Sequence, residues 1–442
     1  MTRAAAFLGT GRKRVAIVGA GIAGLVAAER LARAHDVTVF EAEARLGGHT
    51  HTVDVATPAG GNLAIDTGFI VCNDRTYPGF LALMARLGVP LRPSTMSFSL
   101  RCERTGIEYN GADLDRLFVQ RRNLLRPSHW GMIRDILRFH RDALALRGSE
   151  TPLGDVLAAG RYGRAFRERY LVPMMAAIWS AEPAKLMAMP ARFFVAFFAN
   201  HGMLSVNDRP QWFTVVGGSR SYLAPLAAGF RERVRLGAPV ERLQRAPDGV
   251  LVTVRGQHPE RFDAAVVAAH SDQALALLAD ADDAERATLG AIPYQENDVV
   301  LHTDASLLPR REKAWAAWNY HLTARPAARA TVTYCMNLLQ GLPGDVVYNV
   351  TLNRSDAIDP AKVLRRFVYH HPVFDAAGVR AQERVADLNG RRRVWWCGAW
   401  CGFGFHEDGV QAGLRVAADF GLADAAAPSA SSAGAAAAGA TA

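Results

Sequence analysis

The amino-acid sequence predicts an α/β fold in which a nucleotide-type domain is assembled from separated parts of the chain, on three observations. Residues Arg14 to Glu41 read as strand, glycine turn, alanine-rich helix and strand. Short strand texture returns at Val234, with Val250, Val252 and Val254 in alternation and Ala264 to Ala269 as a buried run. It returns once more at Val394 to Gly398, followed by a helix over Gly409 to Phe420 with alanines and glycine on one face.

The first unit carries the most chemistry. Gly19-Ala20-Gly21-Ile22-Ala23-Gly24 lies between strand and helix, where a G-x-G-x-x-G must lie if backbone amides and the helix dipole are to receive a pyrophosphate. Glu41 closes the second strand, placed to accept hydrogen bonds from an adenosine ribose. No arginine there suggests a 2′-phosphate, so the pattern selects FAD or NAD over NADP. Next comes Glu41-Ala42-x-x-Arg45-x-Gly47-Gly48-His49-Thr50. Paired glycines let backbone approach an anion closely, and an arginine adds a bidentate charge.

This second pattern resembles the fingerprint of flavin-dependent amine oxidases, phytoene desaturases and protoporphyrinogen oxidases, and the resemblance implies FAD. The family often has arginine where this chain has His49. Asp66-Thr67-Gly68 resembles the family's short D-x-G segment, which returns the chain towards the flavin ring. Val240 resembles the residue whose backbone holds the adenine, and Gly398-Ala399 the turn near the ribityl chain. Phe405-His406, at the start of the last helix, resembles the segment that faces the flavin with its amides; the His406 side chain is not expected to be catalytic. Cys397 and Cys401 do not match the family's attachment position, so noncovalent FAD and inert buried thiols are expected.

The resemblance runs from Arg14 to Ala417. Tyr109-Asn110-Gly111, Ile178-Trp179-Ser180, the stretch from Pro210 to Arg220 and the stretch from Gly404 to Gly409 are similar to a bacterial subgroup of predicted NAD/FAD-binding oxidoreductases associated with phospholipid acyl-chain modification. It implies an amine-oxidase-like two-domain fold: a Rossmann-type FAD-binding domain with an interleaved α+β substrate domain. The FAD-binding domain would comprise residues 10–76, 225–296 and 388–424, and the substrate domain 77–224 and 297–387. An Ala/Gly/Ser tail over 425–442 offers little burial to offset its ordering entropy and is expected to be disordered. Within the substrate domain, helical periodicity marks Leu81 to Leu87 and Ile133 to Leu146, and strand-like runs mark Ala330 to Met336 and Val346 to Leu352.

The function implied is that of an FAD-dependent oxidoreductase dehydrogenating or desaturating a lipophilic substrate, such as an unsaturated or methylated fatty acyl chain. A flavin-dependent amine oxidase, a flavin-using isomerase and a noncatalytic FAD-bound partner of a lipid-modifying enzyme stay open. No catalytic side chain is singled out. Trp212, Trp318 and Tyr320 are candidates to face the substrate, with ordinary core packing as the alternative.

Composition bounds the rest. A chain of 442 residues, 50% hydrophobic and 21% charged, has ample core for two domains. The net charge of +9 suits phosphate groups or an anionic membrane. Arginines from Arg116 to Arg147 alternate with Leu, Ile, Phe and Trp, which fits either a lipid surface or a solvated helix with a core-facing stripe. No zinc-finger spacing or RNP-like run accompanies them, so nucleic acid is not an expected partner. Five scattered cysteines suggest neither disulfides nor zinc. With no secretory segment read before Arg14 and no apolar run of membrane-spanning length, a cytoplasmic protein, peripheral on the inner membrane face at most, is expected.

Overall fold

The computed structural model describes residues 8–58, 60–325 and 329–422. The tail expected over 425–442 lies outside them. Five parallel strands, in the spatial order Val234–Arg235, Asp36–Phe40, Arg14–Val18, Ala264–Val267 and Val394–Trp396, form the nucleotide-type sheet. Val15, Ile17, Val37, Val39 and Val266 have no exposed surface, as expected of parallel strands covered on both faces. The sheet thus gathers strands from three distant parts of the chain.

Four helices position the site. Helix α1 (Ile22–Leu31) follows the glycine turn, and α2 (Pro78–Leu87) packs beside it with proline in its first turn and a left-handed Gly88 at its end. Helix α3 (Pro127–Asp142) lies in the second domain, and α4 (His406–Asp419) closes the fold. Helix α4 starts three residues earlier than its apolar pattern suggests, because the Asp408 carboxylate accepts the Phe405 amide at 2.9 Å. Likewise α3 begins at Pro127 and gives way to a 3₁₀ turn over Ala143–Leu146.

The second layer is a seven-stranded mixed sheet ordered Val363–Pro372, Tyr294–His302, Asn349–Leu352, Val332–Cys335, Trp318–Leu322, Phe98–Cys102 and Ile107–Asn110. Strand Tyr294–His302 runs unbroken through 296/297, where the sequence suggested a domain boundary; its pairing with Val363–Pro372 keeps one register from Tyr294 to Leu301, with a shift before His302, and holds it in one sheet. Strand Val71–Asn73 similarly pairs across to Trp212–Val215, tying the segment before position 76 to the second domain. The run expected at Ala330 to Met336 is a strand only over Val332–Cys335, and the next run only over Asn349–Leu352.

One contact fixes the geometry of the ends. Helix α4 lies on α1 through Gly409 and Gly413: a Cβ on Gly409 would meet the Ile22 side chain at 2.7 Å, and one on Gly413 the Ala23 carbonyl at 2.6 Å. Only glycine permits this approach. The first turn of the last helix therefore rests on the first turn of the first helix. We expect Gly413→Val to overpack this seam, lowering unfolding free energy by about 1–3 kcal/mol in urea titration and reducing copurifying flavin with it.

Candidate functional site

The glycine turn is shaped by close approach. Gly19 has φ +102° and leaves no room for a Cβ against the Ala268 carbonyl. A Cβ on Gly24 would collide with the Gly19 carbonyl. Gly21 differs, since a Cβ there would meet nothing within 4 Å. Open space thus stands above the N-terminus of α1, which has no side-chain cap and no acidic residue in its first turn. Ile22 and Ala23 supply amides there while their side chains are buried. Uncapped amides facing open space fit a pyrophosphate.

The second glycine pair completes that cradle. Gly47 donates to the Ala20 carbonyl at 2.9 Å and forms a bridge with Gly21. Gly47 and Gly48 both have positive φ, and a side chain on Gly48 would crowd the Gly21 Cα at 3.2 Å. The Glu41 carboxylate is oriented by the Ala20 amide at 2.7 Å and the Glu43 amide at 3.0 Å. Each oxygen keeps accepting capacity for a ribose hydroxyl. Ala42 is exposed beside it. Ala238 and Gly237 donate to the carbonyls of Glu41 and Glu43 at 2.8 and 2.9 Å, bringing the half-buried Val240 next to this strand end. These residues fit the adenosine half of FAD.

Several residues take other roles. Arg45 donates to the Thr50 carbonyl at 3.1 Å and pairs with Glu43 at 2.9 Å, so its guanidinium braces the loop. Asp66 is fully buried and accepts from Thr52 at 2.6 Å, from the Ser219 amide and hydroxyl at 2.9 and 2.8 Å, and from Gln340 at 3.1 Å. Protein donors thus occupy its carboxylate oxygens, and it ties three segments together. Burial still pushes its pKa up to about 6 against those donors. Gly68 is likewise structural, because a Cβ would collide with the His49 carbonyl.

The His406 side chain also points into protein. Its ring stacks on Phe69 at 3.8 Å and its Nε2 lies 2.7 Å from the Tyr222 hydroxyl, which in turn contacts the buried Thr50 hydroxyl. The Thr50 hydroxyl therefore belongs to this network. Burial drives the His406 pKa down to about 3, keeping the ring neutral. Its neighbour Glu407 turns away and caps α2, accepting from Gly79 and Phe80 at 2.9 and 2.8 Å. What His406 and Phe405 offer the site is the N-terminal end of α4.

Between these helix ends and the seven-stranded sheet lies a recess. His49 is surrounded by protein yet exposed, the state of a side chain lining a hollow. Its ring stands edge-on to Tyr369 at 4.9 Å and to His371 at 5.2 Å. Burial lowers its pKa well below the usual histidine range, with repulsion from His371 and Arg45 adding to it. Burial likewise brings His371 down to about 4, so both rings are neutral near pH 7. Gly398 turns at the far wall, where a Cβ would strike the Trp400 indole, whose Nε1 donates to the Ala269 carbonyl at 3.0 Å; Ala399 follows it.

Sheet register sorts the substrate-facing candidates. Tyr369 aligns with Asn297, Phe367 with Val299, Val299 with Leu352, Leu352 with Val332 and Val332 with Tyr320, so these side chains share one face. Trp318 lies on the same face, edge-on to Tyr334 at 5.6 Å, while Tyr320 is almost fully buried. Trp212 stands on another sheet and reaches Phe405 only through His201, which stacks on Phe197 at 3.9 Å. The three candidates therefore do not form one cluster. His371, Tyr369 and Asn297 were missed; alternation of Phe367, Tyr369 and His371 along one strand was the available signal. Cys397 and Cys401 are free, and burial lifts the Cys401 thiol to about 12, which keeps it protonated.

Two outcomes follow. Because open space lies where a Cβ on Gly21 would point, Gly21→Val should leave the unfolding midpoint of the flavin-free protein within about 0.5 kcal/mol, yet lower bound flavin at least about tenfold by absorbance. For His406, a folded pKa near 3 against an ordinary 6.5 means its contribution to stability is present above pH 6.5 and lost as pH falls. His406→Phe should reduce the slope of unfolding free energy between pH 6 and pH 4 by about 1.4 kcal/mol per pH unit.

Comparison with known proteins agrees with this geometry. The chain is 33% identical over 257 residues to the flavin-containing monoamine oxidase AofH of Mycobacterium tuberculosis, a match spanning 54% of this chain and 53% of that protein. The chain thus spans about half the length of the curated relatives it matches. Cyclohexylamine oxidase from Brevibacterium oxydans superposes with TM-score 0.67 at 19% identity, covering 92% of this chain and 98% of the other. A fatty acid isomerase from P. acnes that produces CLA superposes with TM-score 0.66 at 17% identity, again over 92% and 98%. At these identities the superpositions establish the two-domain fold of FAD amine oxidases. The pattern of the flavin containing amine oxidoreductases matches residues 22–304, more than half of the sequence, and the chain belongs to that family of flavoproteins.

Proposed function

We propose that the protein is an FAD-dependent oxidoreductase that removes hydrogen from a lipophilic substrate, an unsaturated or methylated fatty acyl chain being the class that suits the site. The observation that carries this reading is the sheet face that bears Tyr369: along it Trp318, Tyr334, Phe367 and Tyr369 are partly open, Tyr320, Val332, Val350 and Leu352 are buried behind them, and none is a carboxylate. A di- or polyammonium substrate buried there would find no anionic partner, at a desolvation cost of several kcal/mol, whereas an acyl chain gains from each buried methylene. A fatty acid isomerase on the same fold lends support to that ligand class.

The bound flavin supplies a two-electron acceptor at its ring. This chain's residues do the remaining work. The α1 amides and dipole hold the pyrophosphate, and Glu41 receives ribose hydroxyls. The N-terminus of α4 adds a positive dipole end at the opposite side of the cradle. Neutral His49 and His371 can donate or accept a hydrogen bond without placing a charge in the recess. The aromatic wall excludes water from the reacting bond. Dehydrogenation would leave a double bond between adjacent carbons, one hydrogen passing as hydride to the bound flavin and the other leaving as a proton to solvent.

Anaerobic titration tests the reading. Unsaturated or methylated phospholipid should bleach the oxidised flavin band, whereas monoamines and polyamines should not. Bleaching by amines with hydrogen peroxide release in air would replace it with an amine oxidase. A flavin that no substrate bleaches, in a protein that copurifies with a lipid-modifying enzyme, would favour the noncatalytic partner.

A further inference from the structure

The arginine-rich stretch of the sequence lies apart from the cradle and the recess. Helix α3 buries His129, Met132, Asp135 and Phe139 against the neighbouring helices. Its opposite stripe presents Trp130, Arg134, Leu137 and Arg141 to solvent, and Leu144 continues it past the helix end. In the turn before α3, Leu124 is also exposed and Leu125 is 87% exposed. Six of the eleven large apolar side chains exposed among the described residues fall between Leu114 and Leu144, a concentration that water alone does not favour.

Charge selects the occupant. Eight arginines lie between Leu114 and Arg147 against three carboxylates, and one of those, Asp135, is buried. Arg138 is held inward over the Tyr162 ring at 3.9 Å and on the Gly160 carbonyl at 3.0 Å. Arg134 and Arg141, in contrast, keep over 70% of their side chains in solvent. A second copy of this chain would bring the same positive face and the same net +9 against it. We propose that this face seats the protein on an anionic phospholipid bilayer, with Leu125, Trp130 and Leu137 entering the headgroup boundary and Arg134 and Arg141 meeting lipid phosphates. Apolar side chains between arginines on one helix face are the chemistry such a surface requires.

The test uses the full-length holoprotein and sedimentation with two vesicle types, phosphatidylcholine alone and phosphatidylcholine mixed equally with phosphatidylglycerol. The protein should pellet with the anionic vesicles, far less with the neutral ones, and progressively less as salt rises. Arg134→Gln/Arg141→Gln should weaken anionic binding roughly thirty-fold, and Leu125→Ser/Trp130→Ser/Leu137→Ser at least about tenfold, both with flavin content and unfolding midpoint unchanged. Equal binding to both vesicle types, full binding by either variant, or no vesicle binding would overturn the proposal. So would a dimer in solution that the triple serine variant dissociates. None of these readouts involves turnover, so failure of the substrate reading leaves this one standing or falling by itself.

Discussion

The glycine-mediated contact between α1 and α4 is the constraint on which the site depends. An α-helix N-terminus presents unsatisfied amides and a partial positive charge that fades within a turn. Two such ends act on one ligand only if the helices approach almost backbone to backbone, and Gly409 and Gly413 allow that approach. The ligand that fits must be long and anionic in its middle, and must present polar atoms near each helix end. That description follows from packing alone and matches FAD.

Around this pair the protein has removed competing charge. Glu41 has its oxygens fixed by two backbone amides, and its neighbour Glu43 is paired with Arg45. Asp66 and Glu407, which could have placed carboxylates by the cofactor, spend their lone pairs on Ser219, Thr52, Gln340 and the N-terminus of α2. His49, His371 and His406 are held neutral by burial. The electrostatics of the recess therefore come from helix ends and the cofactor, and a substrate meets a wall with little charge of its own.

Local signals in the sequence were the readable ones. Gly19, Gly21 and Gly24 announced the turn because close backbone approach demands glycine at fixed spacing, and Glu41 announced the end of the second strand. Long-range consequences were less legible. Nothing near Asp66 says that its partners are Ser219 and Gln340, more than 150 residues away. Nothing near His406 says that its ring turns into a pocket made by Phe69 and Tyr222. The continuity of the strand Tyr294–His302 across 296/297 was not legible, because no composition change marks it. Trp212 and Trp318 look alike as aromatic residues in strands, yet register places them on different sheets.

The exposed stripe of α3 and the seven-stranded sheet are joined by packed side chains. His129, on the buried side of α3, stands edge-on to Tyr109 at 5.9 Å, and Tyr109 pairs in the sheet with Leu100, next to Tyr320. The Tyr109 hydroxyl donates to the Arg169 carbonyl at 2.6 Å, within the π-helical turn Arg167–Leu171. That wide turn breaks the regular helix ladder where Tyr170, surrounded but partly open, projects beside the sheet. Through His129 and Tyr109 the buried side of α3 therefore packs on the same sheet face that is proposed to receive an acyl chain. A substrate insoluble in water has to be met where it is dissolved, in a bilayer, so the proposed acyl substrate and the proposed membrane face would serve one another.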